Sequence, residues 1–311
     1  CERVLEGGPL RGSDPRHPLD PGRLHDSHPD SACDVRAIPL VSSLVRGLSD
    51  DIATSPGVAQ SRRHPRSWQD DMQVLTREQR MTDLSVVEIC AGAGGQSLGL
   101  HLAGFRHRLA VELDPDAAET LRRNLARLAE QAGEPAPTIA IGDVADEDVW
   151  RPEDYMGVSL LAGGVPCPPF SIAGQQKGAN DERDLFAWAV EAAGRMMPDA
   201  VLLENVRGLS MPRFAGYRQA VLDRFAELGY LADWRLLGAK DFGVPQLRPR
   251  FILVALREDF APYFRWPEPT PTVQTVGTAL YDLMAANGWP GAEAWSKRAN
   301  RIAPTIVGGS K

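Results

Sequence analysis

The sequence predicts an α/β fold built on a doubly wound, mostly parallel sheet, and three observations carry that prediction. From residue 85 onward, apolar runs of strand length alternate with amphipathic helical stretches, which is the rhythm of βαβ units. The first apolar run passes straight into a glycine-rich turn that opens a helix. Successive strands also end in a glycine, a carboxylate or a cysteine, at the edge where open α/β sheets bind their ligands.

Residues 1–80 are rich in Pro, Arg, Asp, Ser and His, and "LRGSDPRHPLDPGRLHDSHPD" carries neither a helical nor a strand period. That composition predicts a disordered N-terminal extension. "SVVEIC" then reads as a buried strand, "AGAGG" as a turn and "QSLGLHLAG" as a helix stopped by Gly104. "HRLAVEL" is the second strand. The helix after it, "DPDAAETLRRNLARLAEQAG", has Asp114 as its N-cap, Pro115 at its first position and Gly133 past its end. "TIAIGD" and "VSLLAGG" are the third and fourth strands, "DLFAWAVEAAGRMM" is a helix, and "AVLLENV" is the fifth strand. A helix "GYRQAVLDRFAELG" precedes two further strands, "YLADWRLLG" and "RFILVAL", and "WPEPTPTVQTV" reads as a Pro/Thr linker.

At 311 residues and 43% hydrophobic content, the chain accommodates one large α/β domain or two modest ones. No apolar run reaches the roughly 20 residues that a membrane span requires, and no signal-peptide pattern opens the chain, so a cytoplasmic protein is expected. The four cysteines, Cys1, Cys33, Cys90 and Cys167, lack CxxC pairing, which predicts neither a disulfide framework nor a metal site. A net charge of −7 argues mildly against a polyanion partner. It does not exclude one, because an arginine-lined cleft can attract phosphate while acidic helices lie elsewhere.

The strand ends carry the chemistry. "AGAGG" serves either a nucleotide or close helix packing, and without a GKS or GKT it is no P-loop. Glu112 suits two ribose hydroxyls, or else caps the next helix; Asp143 suits an adenine amino group, or else a turn. Cys167 stands in "GGVPCPPFS", where prolines fix the backbone; this placement favours a nucleophile over an inert core thiol. Glu204, arriving from an apolar strand, is expected to hold a raised pKa, the alternative being a buried carboxylate paired to arginine. Arg248 and Arg250 in "PQLRPRF" share one face of an extended segment, as an anion or carbonyl clamp or as an edge-strand charge pair.

In order and spacing, these segments resemble the motifs of the cytosine-C5 DNA methyltransferases: "EICAGAGG", "VELD", "GDV", "GGVPCPPFS", "ENV" and "QLRPR". The resemblance runs from residue 85 to about 257. It implies a Rossmann-like sheet of the class I AdoMet-dependent methyltransferase type. S-adenosyl-L-methionine would be held by Cys90, Ala91, Gly92, Ala93, Gly94, Gly95, Glu112, Leu113, Asp143, Val144, Pro166 and Leu185. Cys167 would add to C6 of a cytosine rotated out of double-stranded DNA, Glu204 would hold the N3 side, Arg250 would contact O2, and Arg248 would order the site. The segment "SIAGQQKGANDERDLF" resembles the family's closing loop, with Ser171, Gln175 and Lys177 near DNA. No metal is implied, and the setting is bacterial restriction-modification.

The sequence departs from the family at Cys90, where phenylalanine is frequent, and at Val165 and Pro168. The organisation expected is a catalytic domain over 81–260, with 261–311 as a linker and the start of a truncated recognition region. A second polypeptide would then carry the rest of that region. A non-catalytic or split-enzyme subunit, a tRNA cytosine-C5 methyltransferase of the same fold and a nicotinamide-dependent oxidoreductase stand as alternatives.

Overall fold

A computed structural model describes residues 84–166 and 184–306. Seven strands form one sheet: β1 (Ser85–Ile89), β2 (Arg106–Glu112), β3 (Thr138–Ile141), β4 (Leu160–Gly163), β5 (Ala200–Val206), β6 (Tyr230–Gly238) and β7 (Pro249–Arg257). Their order across the sheet is β3-β2-β1-β4-β5-β7-β6. Neighbours among β1 to β5 pair in parallel, whereas β7 is antiparallel to both β5 and β6. The expected, mostly parallel doubly wound sheet is therefore present, closed on one side by an antiparallel pair. The β6–β7 connection has only a short helical turn at Ala239–Phe242, and a parallel return needs a longer crossover. The chain winds outward from β1 through β2 to β3, then returns to β4 on the other side of β1. That reversal opens a crevice at the carboxyl ends of β1 and β4.

Among the described residues, six α-helices accompany the sheet: α1 (Gly95–Leu102), α2 (Pro115–Ala132), α3 (Leu185–Met196), α4 (Ala215–Glu227), α5 (Val276–Ala285) and α6 (Ala292–Arg298). The start of α2 follows from its cap, since Asp114 Oδ1 accepts from the backbone N–H groups of Asp116 and Ala117 at 2.9 and 2.8 Å. Its end follows from Gly133, which takes the left-handed conformation at φ 70°. Between them Ala118, Leu121, Leu125 and Ala129 are buried, the spacing of one helix face.

Alternate residues of the strands feed two cores. Val87, Ile89, Leu109 and Val111 pack with Phe186, Val190 and Met196 of α3 and Phe225 of α4. Val86, Leu160, Leu202 and Val254 pack with Leu100 of α1 and Phe105. Full burial of each such side chain is worth about 1.5–3 kcal/mol, so truncating Phe225 to alanine is expected to cost about 3–5 kcal/mol. The pair α5–α6 lies in the stretch expected as a linker and the start of a recognition region. Its entry is a capping box between Thr275 and Thr278, which lacks the usual Glu or Gln of that signal. Among the described residues, no helix is long and apolar enough to cross a membrane.

Candidate active site

The turn after β1 is built from both sides. Cys90 at φ 51° and the glycines at 92 and 94 take left-handed backbone conformations, which glycine adopts without strain. Gly94 is also crowded, because a Cβ there would stand 3.0 Å from Leu121 Cδ1 on α2, and that side chain would have to give way. The Ala91 N–H donates to Val111 O at 3.1 Å and the Gly92 N–H to Glu112 Oε2 at 2.7 Å. From α2, Asn124 Nδ2 donates to Ala93 O at 3.1 Å. At the neighbouring strand end, a Cβ on Gly163 would lie 2.6 Å from Ile89 Cγ1 and 2.9 Å from Ile89 O. Only glycine lets β4 end this close to β1.

Beside this turn lies a cavity of about 240 Å³, lined by Cys90, Val111, Glu112, Leu113, Gly142, Asp143, Val144, Pro166 and Leu185. Seven of these were expected from sequence. Val111 and Gly142 were not, although each immediately precedes an expected acidic residue. Ala91, Gly92, Ala93, Gly94 and Gly95 are not in the lining; the turn reaches it through the Gly92–Glu112 hydrogen bond. Glu112 Oε1 accepts from the Asp114 N–H at 3.0 Å and Asp143 Oδ1 from the Ala145 N–H at 2.9 Å. An ionised carboxylate offers about four acceptor positions, so both side chains keep acceptors for a ligand. Leu113 is 67% exposed and presents an apolar surface at the cavity. Burial, with Glu112 and Asp143 adding to it, pushes the Cys90 thiol up to about 12.

Glu204 stands near the end of β5, half-buried, with its Oε1 bonded to Arg250 Nε on β7. Burial raises its pKa, opposed by Arg250 and Arg248. Arg250 thus meets this carboxylate from an interior strand rather than an edge, and Arg248, in the loop just before β7, adds its charge nearby. The site extends toward the crevice at Gly164, where an added Cβ would stand 3.6 Å from Glu204 Oε2 and 3.8 Å from Cys90 O. The neighbouring Asn205 donates from Nδ2 to Val165 O at 3.1 Å, which fixes the segment that runs into Pro166. Cys167, Ser171, Gln175 and Lys177 lie outside the described residues. The chain resumes at Asp184, whose Oδ1 caps α3 through the Phe186 and Ala187 N–H groups and accepts from Tyr217 Oη at 2.8 Å.

Two further contacts hold β7 and the loop before it. Trp234 stacks between Phe186 of α3 and Phe251 of β7, at centroid distances of 5.2 and 4.8 Å. The Leu247 N–H donates to Ala303 O at 2.7 Å and the Ala303 N–H to Pro245 O at 2.9 Å. Asn124, Trp234 and Ala303 escaped sequence reading because none carries a charge or a motif of its own, and Asn205, though part of "ENV", was given no role of its own.

The family model described as C-5 cytosine-specific DNA methylase matches residues 84–308. Type II methyltransferase M.NaeI of Lentzea aerocolonigenes is 68% identical over 231 residues, covering 74% of this chain and 54% of the relative. Type II methyltransferase M.NgoMIV of Neisseria gonorrhoeae is 50% identical over 222 residues, covering 71% of this chain and 67% of the relative. The chain thus spans about half the length of the first of these relatives. A crystal structure described as a DNA modification methyltransferase encoded within an E. coli prophage superposes with a TM-score of 0.50 at 24% identity, covering 64% of this chain and 55% of its own. That likeness bears on the fold alone.

Proposed function

The chain belongs to the C-5 cytosine-specific DNA methylase family, and on that premise we propose that it forms the catalytic part of a DNA (cytosine-5-)-methyltransferase of restriction-modification type. The observation that carries the reading is the tie between Asn205 and Val165. It sets the Glu204–Arg250 pair beside the segment leading to Cys167, in the same crevice as the cavity at Pro166.

The cavity suits S-adenosyl-L-methionine by the chemistry of its donor set. Glu112 at the end of β2 offers acceptors to ribose hydroxyls, Asp143 offers one to an exocyclic amine, and Leu113 and Val144 offer apolar faces to a purine. The volume lies just below the roughly 300–1,000 Å³ of drug-sized sites, which fits a nucleoside enclosed with the rest of the ligand running toward the turn. When bound, the cofactor supplies an electrophilic methyl group.

The protein's own groups then act on the base. Cys167 adds as thiolate to C6 of an extruded cytosine, which places electron density on C5. Glu204, whose pKa is raised by burial, holds N3 and favours protonation there as the thiolate adds. Arg250 aligns the Glu204 carboxyl and offers its remaining N–H groups to the base carbonyl, and Arg248 adds positive charge on the same side. Loss of the C5 proton afterwards expels Cys167.

The test joins this chain to the C-terminal part of M.NaeI and supplies labelled S-adenosyl-L-methionine with double-stranded DNA. Label on C5 of cytosine, abolished by Cys167→Ser, is expected. No 5-methylcytosine from the fusion overturns the reading, and label on tRNA in place of DNA moves it to an RNA substrate.

A further inference from the structure

Glu88 is fully buried in the middle of β1, where a strand with parallel neighbours on both sides takes apolar side chains. Its register partners are Ala110 on β2 and Ala162 on β4, both without solvent exposure. Two alanines thus leave the room that a carboxylate fills. Its Oε2 accepts from Ser97 Oγ at 2.6 Å and lies 2.8 Å from His107 Nε2, while Oε1 is buried without a partner among the described residues. A buried carboxylate satisfied at one oxygen is a poor device for stability, since a well-packed apolar residue commonly does as well or better.

The three residues join the three elements that make the turn. Ser97 lies in the first turn of α1, 1% exposed, and its Oγ stands 3.6 Å from where a Cβ on Gly94 would be. His107 lies on β2, whose far end carries Glu112, and Glu88 stands two residues before Cys90 on β1. A hydrogen bond from Ser97 therefore fixes the start of α1 against the two strands whose ends border the cavity.

We infer that Glu88, acting through Ser97, is a positioning residue that sets the Ala91–Gly95 turn against the cofactor cavity. This rests on reading the cavity as an S-adenosyl-L-methionine site, and the closing experiment separates the two. Ser97→Ala in the full chain removes the link with little change in volume. Ser85→Ala is the control: Ser85 exchanges hydrogen bonds with Ser159 at 3.2 and 3.4 Å, at the opposite end of β1 from the turn. Calorimetric titration with S-adenosyl-L-homocysteine is expected to give a Kd about tenfold weaker in Ser97→Ala and unchanged in Ser85→Ala. Hydrogen exchange without ligand is expected to quicken at the amides of residues 92–98 in Ser97→Ala alone. Parental exchange rates in Ser97→Ala, or equal loss of affinity in both variants, overturn the inference. A parent chain that binds no S-adenosyl-L-homocysteine removes the cofactor reading, and the exchange rates still decide the positioning role.

Discussion

Arg250 reaches Glu204 on a diagonal. Across the antiparallel β5–β7 pair, Glu204 lies opposite Ile252 and Arg250 opposite Val206, yet the guanidinium Nε bonds to the carboxylate Oε1. Diagonal neighbours two residues out of register are within reach of long side chains. The antiparallel insertion of β7 is what brings an arginine from the start of that strand onto the Glu204 carboxylate of β5.

A first prediction follows from the balance at Glu204. Burial outweighs the two arginines and raises its pKa in the folded state. A raised folded value means the stability due to this group is fully present below the unfolded pKa and lost as pH rises through the folded one. Glu204→Gln cannot lose a proton, so its Tm relative to the parent should climb as pH rises above the ordinary glutamate value near 4.3. Thermal melts over this range test it, and a Tm difference that stays flat or falls with pH contradicts it.

Glu112 serves the turn and the cavity at once, and a second prediction separates these duties. Its Oε2 accepts from the Gly92 N–H and its Oε1 from the Asp114 N–H. Glu112→Ala leaves both donors without their partner and removes the acceptors proposed for ribose. A hydrogen bond to a charged group is worth about 1.5–3 kcal/mol, so S-adenosyl-L-homocysteine should bind about 10- to 100-fold more weakly by calorimetry. Glu112→Gln keeps one acceptor oxygen and should fall between parent and alanine. Parental affinity in Glu112→Ala would remove Glu112 from the cofactor site.

The seven strands and the first four helices were legible because each rests on a local signal: an uninterrupted apolar run, an Asp-Pro entry, a glycine stop. The acidic strand ends were legible for a topological reason, since a doubly wound sheet gathers them at one edge. What escaped depends on contacts between distant residues. Nothing near Arg250 in sequence announces that β7 turns antiparallel and slots between β5 and β6, and the helix-forming Thr275 lacks the acidic partner of an ordinary capping box. Asn124 looks like a solvent-facing amide, and Asn205 like a motif residue with no stated partner, until the loop carbonyls of Ala93 and Val165 are placed against them.

A third prediction concerns the crevice floor. A methyl group on Gly163 meets both the side chain and the backbone carbonyl of Ile89, and backbone cannot rotate away. Gly163→Ala should therefore cost about 1–3 kcal/mol, the usual penalty of overpacking, and should spread the ends of β1 and β4. Denaturant unfolding gives the first number. A titration with S-adenosyl-L-homocysteine on the still-folded variant should show weakened binding as well, because both strand ends border the cavity. Parental stability would mean that β4 shifts freely past Ile89.

The last prediction distinguishes the two cysteines that flank the crevice in sequence. Cys90 lines the cavity, and its thiol is pushed up to about 12, by burial first and then by Glu112 and Asp143. At about pH 8 a thiol of that kind is ionised in only about one molecule in ten thousand, and the thiolate is the reactive form. Iodoacetamide should consequently modify the Cys90 peptide far more slowly in the folded chain than in urea, where an ordinary pKa near 8.5 returns. Asp143→Asn removes one of the two negative charges but none of the burial, so it should quicken the folded-state reaction without reaching the unfolded rate. Mass spectrometry of the alkylated peptides gives both rates. Equal rates in folded and unfolded chains would mean that Cys90 is open to solvent and ionises normally, which would also deprive the cavity of its apolar wall and leave Cys167 without its distinction as the reactive thiol of the site.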